Sequence, residues 1–198
     1  MNPLLTTLTH KTLVRGVCAA ALMTLFSGYA AAAENLDVTF SANIRETTCD
    51  IKIDGGTGNG TNNTIPLGTD GKTRVDYVAG GKVASPFKLV ITQCPSSLSA
   101  LKTSISGTAT ATTKTALANS IEKASGGAEY VGLSIARSSA LASPFEINST
   151  DDSKRLVWTQ DEINGKEVEL TASLVETMAE SATTGEFRTL ATFNFTYE

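Results

Sequence analysis

The closing stretch Gly185-Glu186-Phe187-Arg188-Thr189-Leu190-Ala191-Thr192-Phe193-Asn194-Phe195-Thr196-Tyr197-Glu198 carries the clearest structural signal in the chain. Phe187, Thr189, Ala191, Phe193, Phe195 and Tyr197 fall on every second position, with Arg188, Leu190, Thr192, Asn194 and Thr196 between them. Successive strand side chains point to opposite faces, so this period predicts a half-buried β-strand with one apolar face. The same period recurs near the front. There Leu36, Val38, Phe40, Ala42 and Ile44 alternate with Asp37, Thr39, Ser41 and Asn43.

Between these ends lie further strand-like runs, at Pro86 to Thr92, Tyr130 to Ile135 and Val168 to Val175, each bounded by Gly, Pro, Asn or Ser. Breakers mark the loops. Asp54 to Asn63 (DGGTGNGTNN) predicts an exposed, mobile excursion. Its Gly56, Gly58 and Gly60 lack the Lys-Ser/Thr ending of a phosphate loop. Turns are expected at Pro95-Ser96-Ser97 and Ser125-Gly126-Gly127, and a tight hairpin at Asn164-Gly165. Ala116 to Ala124 is the one stretch with a helix-like pattern, and it is short.

The N-terminus reads differently. Met1 to Gly16 carries His10, Lys11 and Arg15 but no acid; an apolar stretch from Val17 to Phe26 follows, then Ser27-Gly28-Tyr29 and Ala30 to Ala33. A basic region, a short apolar core and small residues describe a secretory signal peptide over 1–33. The apolar core falls short of the roughly 20 residues that span a bilayer. Cleavage after Ala33 leaves 165 residues, a length that suits one domain. The formal charge moves from −4 to −6, since 14 basic side chains then face 20 acidic ones. A mildly acidic chain without a basic run is a poor match for nucleic acid or anionic lipid.

Export also changes the cysteine count. Cys18 opens the apolar core, whereas a lipid-anchored cysteine would follow it, so Cys18 leaves with the signal. Cys49 and Cys94 remain as an even pair in an oxidising compartment, which predicts a disulfide. A metal would need two further ligands, and no histidine follows His10. No cofactor is expected. Nucleophilic triads usually need histidine, and the adjacent acids Asp151-Asp152 and Asp161-Glu162 read as solvated charge, so the chain is not expected to be an enzyme.

Several short strands and one bridge in an exported domain indicate an all-β sandwich. Long strand edges template association unless covered. The front strand, lying ahead of Cys49, can pack within its own sheets or be lent to a neighbour, and patterning alone does not choose.

Taken in order, these segments resemble the type 1 and P-type pilins of the chaperone–usher pathway. The resemblance is carried by the alternating extension leading to Thr48-Cys49, by Phe87-Lys88-Leu89-Val90-Ile91-Thr92-Gln93-Cys94, by Val131 to Ile135, by Leu170 to Leu174 and above all by the ending. Family members carry a penultimate tyrosine and a glycine fourteenth from the end, where this chain has Tyr197 and Gly185. One departure is Ala42, where the family often has glycine.

The resemblance implies an incomplete immunoglobulin-like β-sandwich (pilin fold) completed by a donor strand from another subunit. It implies a donor extension over 34–46, presenting Leu36, Val38, Phe40, Ala42 and Ile44, and a pilin domain over 47–198. Gly185, Phe193, Phe195, Tyr197 and Glu198 would serve the acceptor groove and the contact with a periplasmic chaperone. The implied partners are neighbouring pilin subunits, that chaperone and an outer-membrane usher; the implied location is the cell-surface fimbrium. Two rivals keep the sandwich and change the role. One is a soluble periplasmic binding protein with a complete fold, the other a minor tip adaptor that binds a receptor. Trp158 and Tyr130 are the aromatic candidates for such contact, although a lone Trp in a sandwich is more often core. A tip adhesin would carry an additional lectin domain, for which this length leaves no room.

Overall fold

The computed structural model describes residues 48–198. The signal peptide and donor extension expected over 1–46 lie outside the described residues.

Among the described residues, ten strands form two main sheets and a small hairpin. The larger sheet contains β1 (Asp50–Asp54), β4 (Ala84–Gln93), β9 (Glu167–Glu176), β7 (Val131–Arg137) and β6 (Ala116–Ala118), ordered β1-β4-β9-β7-β6. The smaller holds β10 (Thr192–Tyr197), β5 (Leu101–Ser106) and β8 (Leu156–Val157), ordered β10-β5-β8. β2 (Thr57–Gly58) and β3 (Asn63–Thr64) pair with each other alone. All pairings between named strands are antiparallel, as in a sandwich of hairpins and crossovers.

The core is made by alternate residues of facing strands. Phe87, Leu89 and Ile91 of β4, Val168, Leu170, Ala172 and Leu174 of β9, and Leu101 and Ile105 of β5 are all buried in one cluster. Trp158 belongs to it, 4% exposed, with its indole Nε1 donating to Thr103 Oγ1 at 2.9 Å. That bond removes the penalty of burying both polar atoms. On the solvent face of the larger sheet, Lys88 of β4 meets Glu167 and Glu169 of β9 at 2.8 and 3.0 Å. Cys49 and Cys94 are bonded as expected, tying the start of β1 to the turn after β4.

Two expectations need correction. Asn164-Gly165 closes no hairpin; it ends a helix, Gln160–Gly165, which follows the shorter helix α1 (Val75–Ala79) and is called α2. Thr159 and Glu162 form a reciprocal capping box, with Lys166 left-handed at the far end. Glu162 also takes two hydrogen bonds from Arg137 of β7, at 3.0 and 2.8 Å. A hairpin is excluded topologically, because β8 pairs with β5 in one sheet while β9 pairs with β4 and β7 in the other. Nor is Ala116 to Ala124 helical throughout. Ala116 and Leu117 are fully buried in β6 against Ser134 and Leu133, and only Lys123–Ser125 forms a short 3-10 turn. Apolar Ala and Leu serve a buried strand as well as a helix, and tertiary burial decides between them.

Candidate functional site

Among the described residues, the smaller sheet ends on β10, which pairs with β5 on one side and with no strand on the other. Its ladder fixes which way the backbone faces. Glu198 N donates to Ala100 O and Ala100 N to Glu198 O, both at 3.0 Å. Antiparallel partners exchange both bonds at every second residue, so Thr196, Asn194 and Thr192 also face β5. The amides and carbonyls of Phe193, Phe195 and Tyr197 therefore point to the open edge, and none has a backbone partner among the described residues. The side chains of these three face the core instead, yet each is only half-buried. The pattern extends back through Ala191, Thr189 and Phe187, all half-buried, along an extended segment without a ladder. A wall of inward apolar groups is thus complete on one side and uncovered on the other.

Across the mouth lies β1, the edge of the larger sheet. Ile91 N is committed to Lys166 O, so β4 turns its residues 89 and 91 towards β9 and its residues 88 and 90 towards β1. Opposite them, Lys52 and Asp54 face β4, while the backbone of Ile51 and Ile53 faces outward. Between the two edges is a cleft of about 380 Å³, lined by Cys49, Asp50, Ile51, Lys52, Thr61, Thr92 and Phe195. Its end is pinned by Tyr197, whose hydroxyl donates to Cys49 O at 3.2 Å. Burial pushes the Tyr197 phenol above its ordinary range.

The ends of this wall are fixed by backbone contacts. Glu186 O accepts from Ala128 N at 2.9 Å and Glu186 N donates to Gly126 O at 2.9 Å. At Gly185 a Cβ would lie 2.4 Å from Ala128 N and 2.6 Å from the Gly127 carbonyl carbon, so only glycine fits there. At the other terminus Glu198 O accepts from Ser99 N at 2.8 Å and Ser99 Oγ at 2.7 Å. Its side chain pairs with Lys102 at 2.6 Å, and Lys102 also reaches Asp152 at 3.2 Å. Those two carboxylates, Glu198 foremost, raise the Lys102 ammonium above its usual value. Glu198 is therefore already engaged by its own chain.

The sequence-expected residues Gly185, Phe193, Phe195, Tyr197 and Glu198 come together along one continuous wall, while Leu36, Val38, Phe40, Ala42 and Ile44 lie outside the described residues. Sequence reasoning missed the facing edge, Ile51 and Ile53, although the Asp50-Ile51-Lys52-Ile53-Asp54 alternation beside Cys49 carried the signal. Elsewhere, an open cleft of about 690 Å³ beside α1 is lined in part by Lys72, Arg74, Tyr77 and Lys82. Arg74 is paired with Asp76 at 2.8 Å, and Arg74 and Lys82 rest on the Tyr77 ring, so little charge is left to converge on a ligand. Among the described residues no three His, Cys, Asp or Glu side chains gather as a metal site, and no helix is long and apolar enough to cross a membrane.

Comparison with known proteins gives one consistent result. The sequence model of the family described as "Fimbrial protein" matches residues 38–198. The chain is 30% identical over 182 residues to the uncharacterized fimbrial-like protein YadM of Escherichia coli strain K12, covering 84% of this chain and 88% of that protein. The crystal structure of the P pilus rod subunit PapA superposes with a TM-score of 0.52 at 15% identity, over 82% of this chain and all of PapA; this shows a shared fold.

Proposed function

The chain belongs to the fimbrial protein family, and on that premise we propose that it polymerises by lending its extension, residues 34–46, to the open edge of a neighbouring copy or related subunit. The observation that carries this reading is the unpaired edge of β10. At three alternate positions, Phe193, Phe195 and Tyr197, the outward backbone groups have no ladder partner among the described residues and lie beside a half-buried apolar wall. An arriving strand would supply the missing hydrogen bonds and cover that wall, with alternate side chains setting register. Leu36, Val38, Phe40, Ala42 and Ile44 form the apolar face that fits this task.

The magnitudes favour a long-lived joint. Burying Leu36, Val38, Phe40 and Ile44 contributes at most about 6–12 kcal/mol. Each ladder bond adds about 1 kcal/mol, opposed by about 1–2 kcal/mol for every residue ordered. Insertion also completes the sandwich, so leaving requires partial unfolding.

In the full scheme the signal at 1–33 directs export and the Cys49–Cys94 bridge forms in the periplasm. A chaperone there would cover the β10 edge until an outer-membrane usher exchanges it for the next subunit's extension. The product is a cell-surface fimbrium contributing to adhesion, and the role is structural, without catalysis. Phe40→Asp tests the assignment: it places a charge on the apolar face, so export should continue while incorporation into polymer is abolished. Normal polymer yield from that variant would contradict the donor assignment.

A further inference from the structure

The glycine-rich segment after β1 is not a free excursion. It folds back onto the outer edge of β1 and uses up the hydrogen-bonding groups of Ile53. Ile53 N donates to Gly60 O at 2.6 Å, and Ile53 O accepts from Asn63 Nδ2 at 3.2 Å. The same Asn63 nitrogen donates to Gly55 O at 2.8 Å, and Asn63 Oδ1 accepts from Gly60 N at 2.8 Å. One half-buried side chain therefore clamps three backbone groups. Gly60 sits directly over the Lys52 stem, where an added Cβ would lie 3.2 Å from Cδ. At Gly56 and Gly58 a Cβ would fall 2.1 Å from the carbonyl oxygens of Thr64 and Asn62, so the close return of the hairpin requires glycine at both.

The two edges that flank the cleft are consequently unequal. On β10, the outward backbone groups of Phe193, Phe195 and Tyr197 all lack a partner among the described residues. On β1, Ile53 is satisfied, and only Ile51 turns an outward backbone without a partner among the described residues. We propose that the 55–64 hairpin is a fixed edge cap and Asn63 its positioning residue, making strand addition one-sided: the incoming strand bonds along β10 but meets β1 only at Ile51. Sheet edges left open at both margins invite association in more than one register, and capping one of them is a general remedy. The inference rests on the strand-acceptor reading and adds which edge selects the partner.

Amide hydrogen exchange on the exported chain, with and without excess synthetic peptide covering Glu34 to Glu46, tests it. Without peptide, Ile53 should be protected and Ile51 should exchange freely. With peptide, Ile51, Phe193, Phe195 and Tyr197 should gain protection while Ile53 does not change. In Asn63→Ala, and in Asn63→Asp, which keeps the size and the Gly60 acceptor but loses the donor, Ile53 should exchange at least tenfold faster. Leu89 and Leu170 should stay protected in both variants and certify the fold. Peptide that protects β10 while deprotecting Asn63 and Gly60 would overturn the fixed cap, revealing a displaceable flap, with the acceptor reading intact. Unchanged Ile53 protection in both variants would likewise overturn the cap alone. No protection at Phe193, Phe195 and Tyr197 would overturn the acceptor reading and this inference with it.

Discussion

Tyr197 shows how one side chain joins two edges. Its backbone lies on the open margin of β10, its ring is half-buried, and its hydroxyl reaches the carbonyl of Cys49. Tyr197→Phe should lower stability by about 1 kcal/mol, the net worth of one hydrogen bond, measured as a shift in denaturation midpoint with an unchanged slope. The pH dependence has a definite sign. Burial raises the phenol's folded pKa above its unfolded value, so above about pH 10 the unfolded chain binds fewer protons and stability falls as pH rises. The loss sets in as pH passes the unfolded value and is complete above the folded one. Tyr197→Phe should remove that part of the alkaline decline, and an identical decline in both proteins would contradict it. Gly185 makes the complementary case, in which absence of a side chain is the requirement. Gly185→Ala should cost about 1–3 kcal/mol in equilibrium unfolding, because the added carbon meets backbone at Gly127 and Ala128 that cannot yield cheaply.

Among the elements, β1 and β4 are held together by a disulfide as well as a ladder. The cysteines are 45 residues apart, so removing the bridge with Cys49→Ser and Cys94→Ser together should cost roughly 4 kcal/mol in the chain-entropy account. Reduced and oxidised protein compared in urea would check this. How much of the molecule could be read from sequence differs by element, for physical reasons. β4, β7 and β9 announced themselves, since each places apolar residues at strand period or in a short apolar run. β5 alternates equally well through Leu101, Thr103 and Ile105, but Lys102, Ser104 and Ser106 lower its hydropathy and mask it. The helix at Gln160–Gly165 was hidden by an Asn-Gly pair that normally marks a turn; the Thr159–Glu162 capping pattern was the better guide. The cap on β1 was not legible at all. Glycine and asparagine content speaks for turns, but hydrogen bonds from Asn63 to residues eight and ten positions away depend on how the chain returns. The half-buried face of β10, by contrast, was legible nearly residue for residue, because alternation is a local property.

At the scale of the whole molecule the sandwich is asymmetric. The larger sheet supplies most of the buried core, whereas the three-stranded sheet ends on an edge whose inward groups, Phe193, Phe195 and Tyr197, remain only half-covered. A fold left short of cover in this way should be less stable alone than with the gap filled. The most direct test is the melting temperature of the exported chain, recorded alone, with the Glu34 to Glu46 peptide and with the same peptide carrying Phe40→Asp. Binding at 100 times Kd adds about 2.7 kcal/mol, which for a domain of this size is roughly 5–10 °C. The account predicts a rise of at least that size, slow to reverse, with the first peptide and none with the second. An unshifted melting temperature in all three samples, from a stable monomer, would mean that the sandwich is already complete and would contradict the strand-acceptor function.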